Sequence, residues 1–142
     1  MRFRLILIIM LAGLVPCLAA LFGIAKFYES RAVELRTAEI QNQCTILSNQ
    51  LNNYGYLADT SSDVINAYLT QLTNIYNGRV MIIDRDLTVI KDTYSLDEGK
   101  TDVSENVVRC MQGKTTNYYD RKNHYIEVTS PIMEAGGDQV AG

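Results

Sequence analysis

The sequence predicts an α+β fold that follows an N-terminal transmembrane helix. Three observations lead to this prediction: a long uncharged apolar run near the N-terminus, two helical stretches at residues 28–54 and 61–76, and short apolar segments separated by turns over residues 79–142. Helices gathered at one end of a chain and strands joined by tight turns are typical of an α+β fold with an antiparallel sheet. We expect about five strands, the last of them truncated.

The apolar run, LILIIMLAGLVPCLAALFGIA, covers residues 5–25 and contains no charged residue. As a helix it is roughly 31 Å long, close to the thickness of the hydrocarbon core of a bilayer. Arg2 and Arg4 precede it, and basic residues flanking a membrane span favour the cytoplasmic side. We therefore expect residues 1–4 in the cytoplasm, residues 5–25 across the cell membrane, and residues 26–142 outside.

Two alternatives to a permanent anchor stay open. A cleaved signal peptide is one, because Ala19 and Ala20 offer a weak cleavage site. A lipoprotein modified at Cys17 is the other, but Pro16 lies where a small residue is expected. Pro16 itself is compatible with a transmembrane helix, since lipid-embedded helices tolerate the kink.

Charge and cysteine content exclude several classes. Residues 26–142 hold eleven Lys/Arg and sixteen Asp/Glu, a net charge of −5, whereas a nucleic-acid-binding surface needs a basic stripe. Cys44 and Cys110 could pair in an oxidising compartment, but no cysteine spacing indicates a disulfide framework or a metal site. We expect two free thiols.

Residues 28–54 contain neither Gly nor Pro, and the first Gly after them is Gly55. They show a heptad pattern of three to four repeats. Such a pattern is typical of a helix that pairs with a second copy and transmits a signal, or of one amphipathic helix that packs on its own sheet. The positions of the seam are Val33, Ile40, Leu47 and Tyr54, alternating with Thr37, Cys44 and Leu51.

The second helix, residues 61–76, is predicted from its broad apolar face. Thr60 and Asp63 have capping-box spacing at its start, and Asn77-Gly78 is the expected left-handed end.

From residue 79 the apolar residues no longer follow the helical spacing of 3.6 and occur in short runs. The predicted elements are a strand over residues 80–83, the turn DRD, a strand over residues 87–90, a short helix from Asp102 and Glu105 that Gly113 closes, the strand TTNYY, the turn DRKN and the strand HYIEVTSPIM. Pro131 belongs at a bulge or an edge, because it cannot donate to a ladder. After the turn EAGGD, the segment QVAG begins another apolar stretch that stops, as expected of a fragment.

No catalytic or metal-binding constellation is found. His124 is the one histidine and has no cysteine or second histidine at ligand spacing. Gly136-Gly137 is not followed by a helix, so it is not a phosphate loop. We therefore predict recognition rather than catalysis.

The order of these pieces resembles the extracytoplasmic Cache domain, the PAS-like, PDC-type sensor fold of bacterial membrane receptors. The resemblance covers residues 26–142, and the segments that carry it are VMIIDRDLTVIKD, VSENVVRCMQGK and YIEVTSPIMEAGGDQVAG. The chain departs from the family pattern at Leu87, where a Gly usually follows the second acidic residue, so a wider turn is expected.

The resemblance implies the N-terminal signal-input part of a two-component sensor histidine kinase that acts as a homodimer. ATP and Mg²⁺ would be used, and a response regulator bound, only by a kinase core beyond residue 142; no cofactor is expected in residues 1–142. In the family a small ligand lies against the sheet near the short helix. The corresponding side chains, suited to an organic anion or an amino acid, are Arg109, Tyr118 or Tyr119, Arg121, His124 and Tyr125.

Three other functions remain. A methyl-accepting chemotaxis receptor or a diguanylate cyclase can carry the same input domain, and only downstream sequence discriminates them. A pilin-like structural protein would need a Gly before the processed end and a Glu within the apolar run, and Arg4 precedes Leu5 instead. A secreted binding protein would follow from cleavage of the anchor.

Overall fold

The structure, a computed structural model, describes all 142 residues and is α+β. The chain divides into two compact units, Met1–Ala38 and Glu39–Gly142. The elements are α1 (Arg2–Asn53), α2 (Asp63–Tyr76), β1 (Met81–Ile83), β2 (Val89–Asp92), α3 (Glu105–Met111), β3 (Thr116–Asp120) and β4 (Tyr125–Thr129).

The first unit consists of helical residues of α1. Its apolar side chains over residues 5–25 are exposed, and the helix is long and apolar enough to cross a membrane. Pro16 lies inside the helix without ending it. The predicted apolar helix is therefore confirmed, while its orientation stays a prediction.

The second unit is built around one apolar core. Leu47 and Leu51, on the last part of α1, are 7% and 2% exposed. Their partners in the core are Tyr56, Ile65, Leu69, Leu72, Ile82 and Ile132. Leu47 and Leu51, two positions of the heptad pattern, therefore pack against residues of the same chain.

Tyrosine hydroxyl groups add polar contacts to the packing of α1 and α2. Each hydroxyl donates to a side-chain oxygen, which satisfies the polar end of an otherwise apolar ring. The bonds are Tyr68 to Gln43 (3.0 Å), Tyr76 to Glu39 (3.0 Å) and, at the connection, Tyr56 to Asn66 (2.6 Å). They place the N-terminal half of α2 beside Gln43 and its end beside Glu39, so the two helices run antiparallel.

The helix ends differ in detail from the predicted capping boxes. Ser62, not Thr60, is the N-cap of α2, and its Oγ accepts from the Ile65 N–H. The predicted left-handed end of α2 is confirmed, since Asn77 has φ 48°. At α3 the N-cap is Ser104, whose backbone N–H donates to the Asp102 carboxylate at 2.9 Å.

The predicted sheet of about five strands is wrong in its strand count. Four strands form two separate antiparallel pairs, β1–β2 and β3–β4. Beyond β4, residues 132–134 contact residues 139–142 through a bridge between Met133 and Val140 and three backbone hydrogen bonds, but they form no further strand. The physical reason is local: Pro131 has no N–H to donate, so the predicted strand 124–133 ends at Thr129.

The β1–β2 turn is wider than the predicted DRD turn. The Asp84 carboxylate accepts from the backbone N–H groups of Asp86 and Thr88, both at 2.9 Å, and β2 begins only at Val89. Leu87, which stands where a Gly was expected from the resemblance, has φ 64°. A side chain in this left-handed region costs about 1–2 kcal/mol.

We predict that the free energy of unfolding of Leu87→Gly is about 1 kcal/mol higher than that of Leu87→Ala. Both variants remove the leucine side chain, but only glycine adopts the left-handed backbone conformation without strain. The measurement is urea unfolding of the full chain in detergent, followed by tyrosine fluorescence. Equal stability of the two variants would show that Leu87 carries no backbone strain.

Candidate functional site

The open face of the β3–β4 hairpin carries two tyrosines and two carboxylates. In the antiparallel register Tyr118 lies opposite Glu127, and Asp120 lies opposite Tyr125. Side chains directly opposite one another share a face, and the period of two places both pairs on the same one. Both tyrosines are about half exposed. The hairpin therefore presents an aromatic surface with acidic neighbours.

Both carboxylates are held in place by hydrogen bonds. Asp120 accepts from the backbone N–H groups of Lys122 (2.8 Å) and Asn123 (3.0 Å), and the bonds from Asn123 lower the pKa of Asp120. Glu127 accepts from the Asn106 amide of α3 at 2.7 Å. The face consequently carries negative charge that is fixed rather than mobile.

The surroundings of Tyr125 change the pKa of its hydroxyl group. Partial burial, followed by the negative charges of Asp120 and Glu127, raises the pKa of the Tyr125 hydroxyl. Tyr125 therefore remains a neutral hydrogen-bonding group at physiological pH.

The predicted ligand residues are distributed over two faces and a turn. Tyr119 lies opposite Ile126, on the other face of the hairpin from Tyr125. Arg109 lies on α3 and forms an ion pair with Glu105 at 2.5 Å. Arg121 and His124 are exposed at the hairpin turn, His124 with φ 55°. Of the predicted ligand residues, Tyr118 and Tyr125 lie on the face described above through their positions in the strands, and ligand binding stays a prediction.

Clefts occur elsewhere in the second unit. One of about 470 Å³ lies between α1 and residues 130–137, and another of about 360 Å³ lies beside β1 and residues 97–104. None of the predicted ligand residues lines either cleft.

The cysteines are free in the structure. Cys110 is buried on α3, and this burial raises the pKa of its thiol to about 11; burial also raises the pKa of Cys44. Since the thiolate is the reactive form, both thiols are poor nucleophiles and poor metal ligands. No group of three His, Cys, Asp or Glu side chains is placed to hold a metal ion.

The most strongly constrained polar group is one that sequence analysis missed. Asp92, at the end of β2, is fully buried, and its carboxylate binds the Arg79 guanidinium in a two-point contact of 2.8 and 2.6 Å. The same carboxylate accepts from the backbone N–H groups of Tyr94, Leu96 and Asp97 at 2.9–3.0 Å. Asp92 thus forms an ion pair with Arg79 and fixes the backbone of residues 94–97 by hydrogen bonds.

Arg79 is shared with a second carboxylate. Its Nη2 lies 2.5 Å from Asp97, which also contacts the Lys100 ammonium at 2.8 Å. The hydrogen bonds from Arg79, followed by those from the backbone, hold the pKa of Asp92 far below its usual range, and the pKa of Arg79 is raised. This network is structural, because every oxygen of Asp92 is used within the chain.

A sequence signal for this pair existed. Arg79 stands two residues before β1, and Asp92 is the last residue of β2. Antiparallel pairing brings the start of one strand beside the end of the next, so opposite charges at these two places are expected to meet.

Comparison with known proteins gives no match: no family model, no curated protein and no solved structure is significantly similar to this chain. Its function is therefore inferred from its own residues and geometry.

We predict that Arg79→Met lowers the free energy of unfolding by about 3 kcal/mol, because it leaves the buried Asp92 carboxylate without a counter-charge. The control is Arg85→Met, which breaks the exposed ion pair with Glu134 and should cost less than about 1 kcal/mol. Urea unfolding of both variants at pH 7 gives the comparison. Similar losses in the two variants would contradict a special role for Asp92.

We also predict a pH dependence that Asp92 carries. Its pKa is depressed in the folded protein, so its stabilisation is present above the unfolded value of about 3.9 and is lost as the pH falls below it. Between pH 7 and pH 3 the wild type should lose about 1 kcal/mol more stability than Asp92→Asn. Parallel losses in the two proteins, measured by urea unfolding at both pH values, would contradict this assignment.

Proposed function

We propose that the chain is the signal-input part of a membrane-bound two-component sensor histidine kinase, with residues 26–142 outside the cytoplasm. The observation that carries this proposal is that α1 is one helix with two roles. Its residues 5–25 present exposed apolar side chains, while its Leu47 and Leu51 belong to the core of the second unit. A change in packing of that core acts on the same helix that would cross the membrane.

The α+β architecture of the second unit supports a recognition domain. Two hairpins and a short helix present loops and turns to solvent, and such segments carry binding function on a rigid scaffold. The sequence resemblance to Cache sensor domains points the same way. Kinase activity, with its ATP, Mg²⁺ and response regulator, would belong to a part of the receptor outside residues 1–142.

For the ligand, the hairpin face favours an amino acid over a simple organic anion. Tyr125 lies beside Asp120, whose fixed negative charge would repel a carboxylate and attract an ammonium group. Arg121, at the hairpin turn, and Arg109, on α3, are the guanidinium groups that the sequence resemblance assigns to the ligand's carboxylate. An amino acid offers both charges, which is why we prefer it.

Signal transmission would require a ligand that binds two states with different affinity. A change from mostly inactive to mostly active receptor needs a difference of roughly 5 kcal/mol. A chemotaxis receptor or a diguanylate cyclase with the same input domain would work by the same principle. The pilin-like alternative is less favoured, because the apolar run contains no acidic residue.

We predict that Ser61→Cys, at an exposed position before α2, reacts with a membrane-impermeant maleimide in intact cells, and that Phe3→Cys reacts only after lysis. Both substitutions are made in a chain with Cys17, Cys44 and Cys110 replaced by Ala, so that the introduced thiol is the only one. Labelling is read by the mass shift of the protein recovered from membranes.

Protein cleaved after Ala20, or Ser61→Cys that is labelled only after lysis, would overturn the proposed receptor topology. N-terminal sequencing of the chain in both the membrane and the soluble fractions distinguishes these two results. A chain with residues 5–25 deleted is the control for membrane retention.

A further inference from the structure

The larger cleft of the second unit is separate from the candidate site. It has a volume of about 470 Å³, within the range of small-molecule pockets, and it lies between α1 and residues 130–137. None of the residues that line it belongs to the apolar core or to the open face of the β3–β4 hairpin. We call it the α1 cleft.

One wall of the α1 cleft is a stripe of polar side chains on the helix itself. Residues three, four and seven positions apart lie on one face of a helix. The lining residues of α1 have this spacing, and they are Thr45, Ser48, Asn49 and Asn52. The helix therefore carries a face of hydroxyl and amide groups in addition to the face that enters the core.

The polar groups of this stripe are available to a ligand. The hydroxyl groups of Thr45 and Ser48 donate to carbonyl oxygens of their own helix, at 3.1 and 2.8 Å, and keep lone pairs that accept. The side-chain amides of Asn49 and Asn52 form no hydrogen bond within the chain. Since an amide both donates and accepts, the stripe offers donors and acceptors side by side.

The opposite wall adds two further hydroxyl groups and an apolar surface. Thr115 and Ser130 supply the hydroxyl groups, and neither side chain forms a hydrogen bond within the chain. Pro131 and Met133 supply carbon and sulfur atoms without strong donors or acceptors. The α1 cleft thus combines neutral polar groups on both walls with a small apolar patch.

A backbone turn closes one end of the α1 cleft. The turn is held by the Gly137 N–H, which donates to the Glu134 carbonyl at 2.8 Å, and by the Glu134 N–H, which donates to the Gln139 carbonyl at 2.8 Å. A Cβ atom at Gly136 or Gly137 would meet no other atom within 4 Å. Space beside the turn is therefore open to a ligand.

Charge is nearly absent from the lining of the α1 cleft. Its one charged lining residue, Glu134, is paired with Arg85. Lys114 and Asp138, which adjoin lining residues in the chain, are exposed and do not line it. Removing a ligand's charge from water without a counter-charge is unfavourable. The net charge of −6 over residues 39–142 also repels anions, so the α1 cleft favours an uncharged ligand.

We propose that the α1 cleft binds an uncharged, hydroxyl-rich small molecule, either a monosaccharide or an open-chain polyol. Each ligand hydroxyl donates and accepts, and so it matches the amide and hydroxyl side chains of both walls. The carbon atoms of the ligand pack on Pro131 and Met133. This chemistry differs from that of the hairpin face, where the fixed carboxylates of Asp120 and Glu127 suit an ammonium group.

A ligand in the α1 cleft bonds to the helix and to residues 130–137 at the same time. It therefore stabilises the packing of the segment after β4 on α1, the helix that also contains the apolar run. Binding goes beyond the proposed function and does not depend on it. Only the use of this binding as a signal rests on the proposed function.

The test measures ligand binding to the full chain in a detergent without a sugar headgroup, because an alkyl glycoside would compete. Saturation-transfer NMR is recorded with D-glucose, D-galactose and sorbitol, and with the matched acids D-glucuronate, D-galacturonate and gluconate. We expect at least one neutral compound to bind, and its matched acid to bind about tenfold more weakly, since the cleft offers no free cation. Binding of the sugars or of sorbitol distinguishes a ring from an open chain.

Amide variants locate the binding. Asn49→Ala and Asn52→Ala should each lower the affinity about tenfold, because each removes a group that donates and accepts. Asn42→Ala is the matched control, since Asn42 is an exposed amide of α1 that does not line the cleft, and it should leave the affinity unchanged. Gly136→Leu places a side chain in the open space of the cleft and should also weaken binding about tenfold.

Three results would each overturn the proposal: no binding by any of the three neutral compounds, equal affinity for a neutral compound and its acid, or equal affinity of Asn42→Ala and Asn49→Ala. Urea unfolding shows whether each variant is folded, and Gly136→Leu replaces any Asn variant that is not. The measurement in detergent does not depend on which side of the membrane the second unit lies. Failure of the receptor topology, read by maleimide labelling, is therefore separate from failure of this site.

Discussion

The ion pair between Arg79 and Asp92 is the constraint on which the first hairpin depends. It joins the residues before β1 to the end of β2, and the same carboxylate organises the backbone that follows. A buried charge with all its oxygens satisfied permits one arrangement and penalises the others. Because Ile82 of β1 reaches the core shared with Leu51 of α1, the geometry fixed at Asp92 extends to the helices.

The sequence predicted the helices better than the strands. Periodicity and the Asn77-Gly78 end located α2 within two residues, because these signals act over one or two helical turns. The sheet was overestimated, since apolar runs indicate an extended segment but not whether its edge finds a partner. Pro131 was correctly expected to interrupt a ladder, yet its effect was greater than a bulge and ended β4.

The side chains of the candidate site could likewise be predicted only in part from the sequence. The resemblance grouped Tyr118 or Tyr119 with Tyr125, and the register places Tyr119 on the opposite face of the hairpin from Tyr125. Asp120 and Glu127, which set the charge beside Tyr125, were not among the predicted ligand residues. Register decides which groups meet, and no local pattern fixes it when both faces carry polar and aromatic residues.

The burial of Cys110 has a consequence for the reactivity of its thiol. Because burial raises the pKa of the thiol to about 11, the thiolate is a minor species at neutral pH. Formation of mixed disulfides with other proteins and attack by peroxides both require the thiolate at the surface. The unpaired Cys110 can thus stay reduced in an oxidising environment, because its burial on α3 keeps the thiol unreactive.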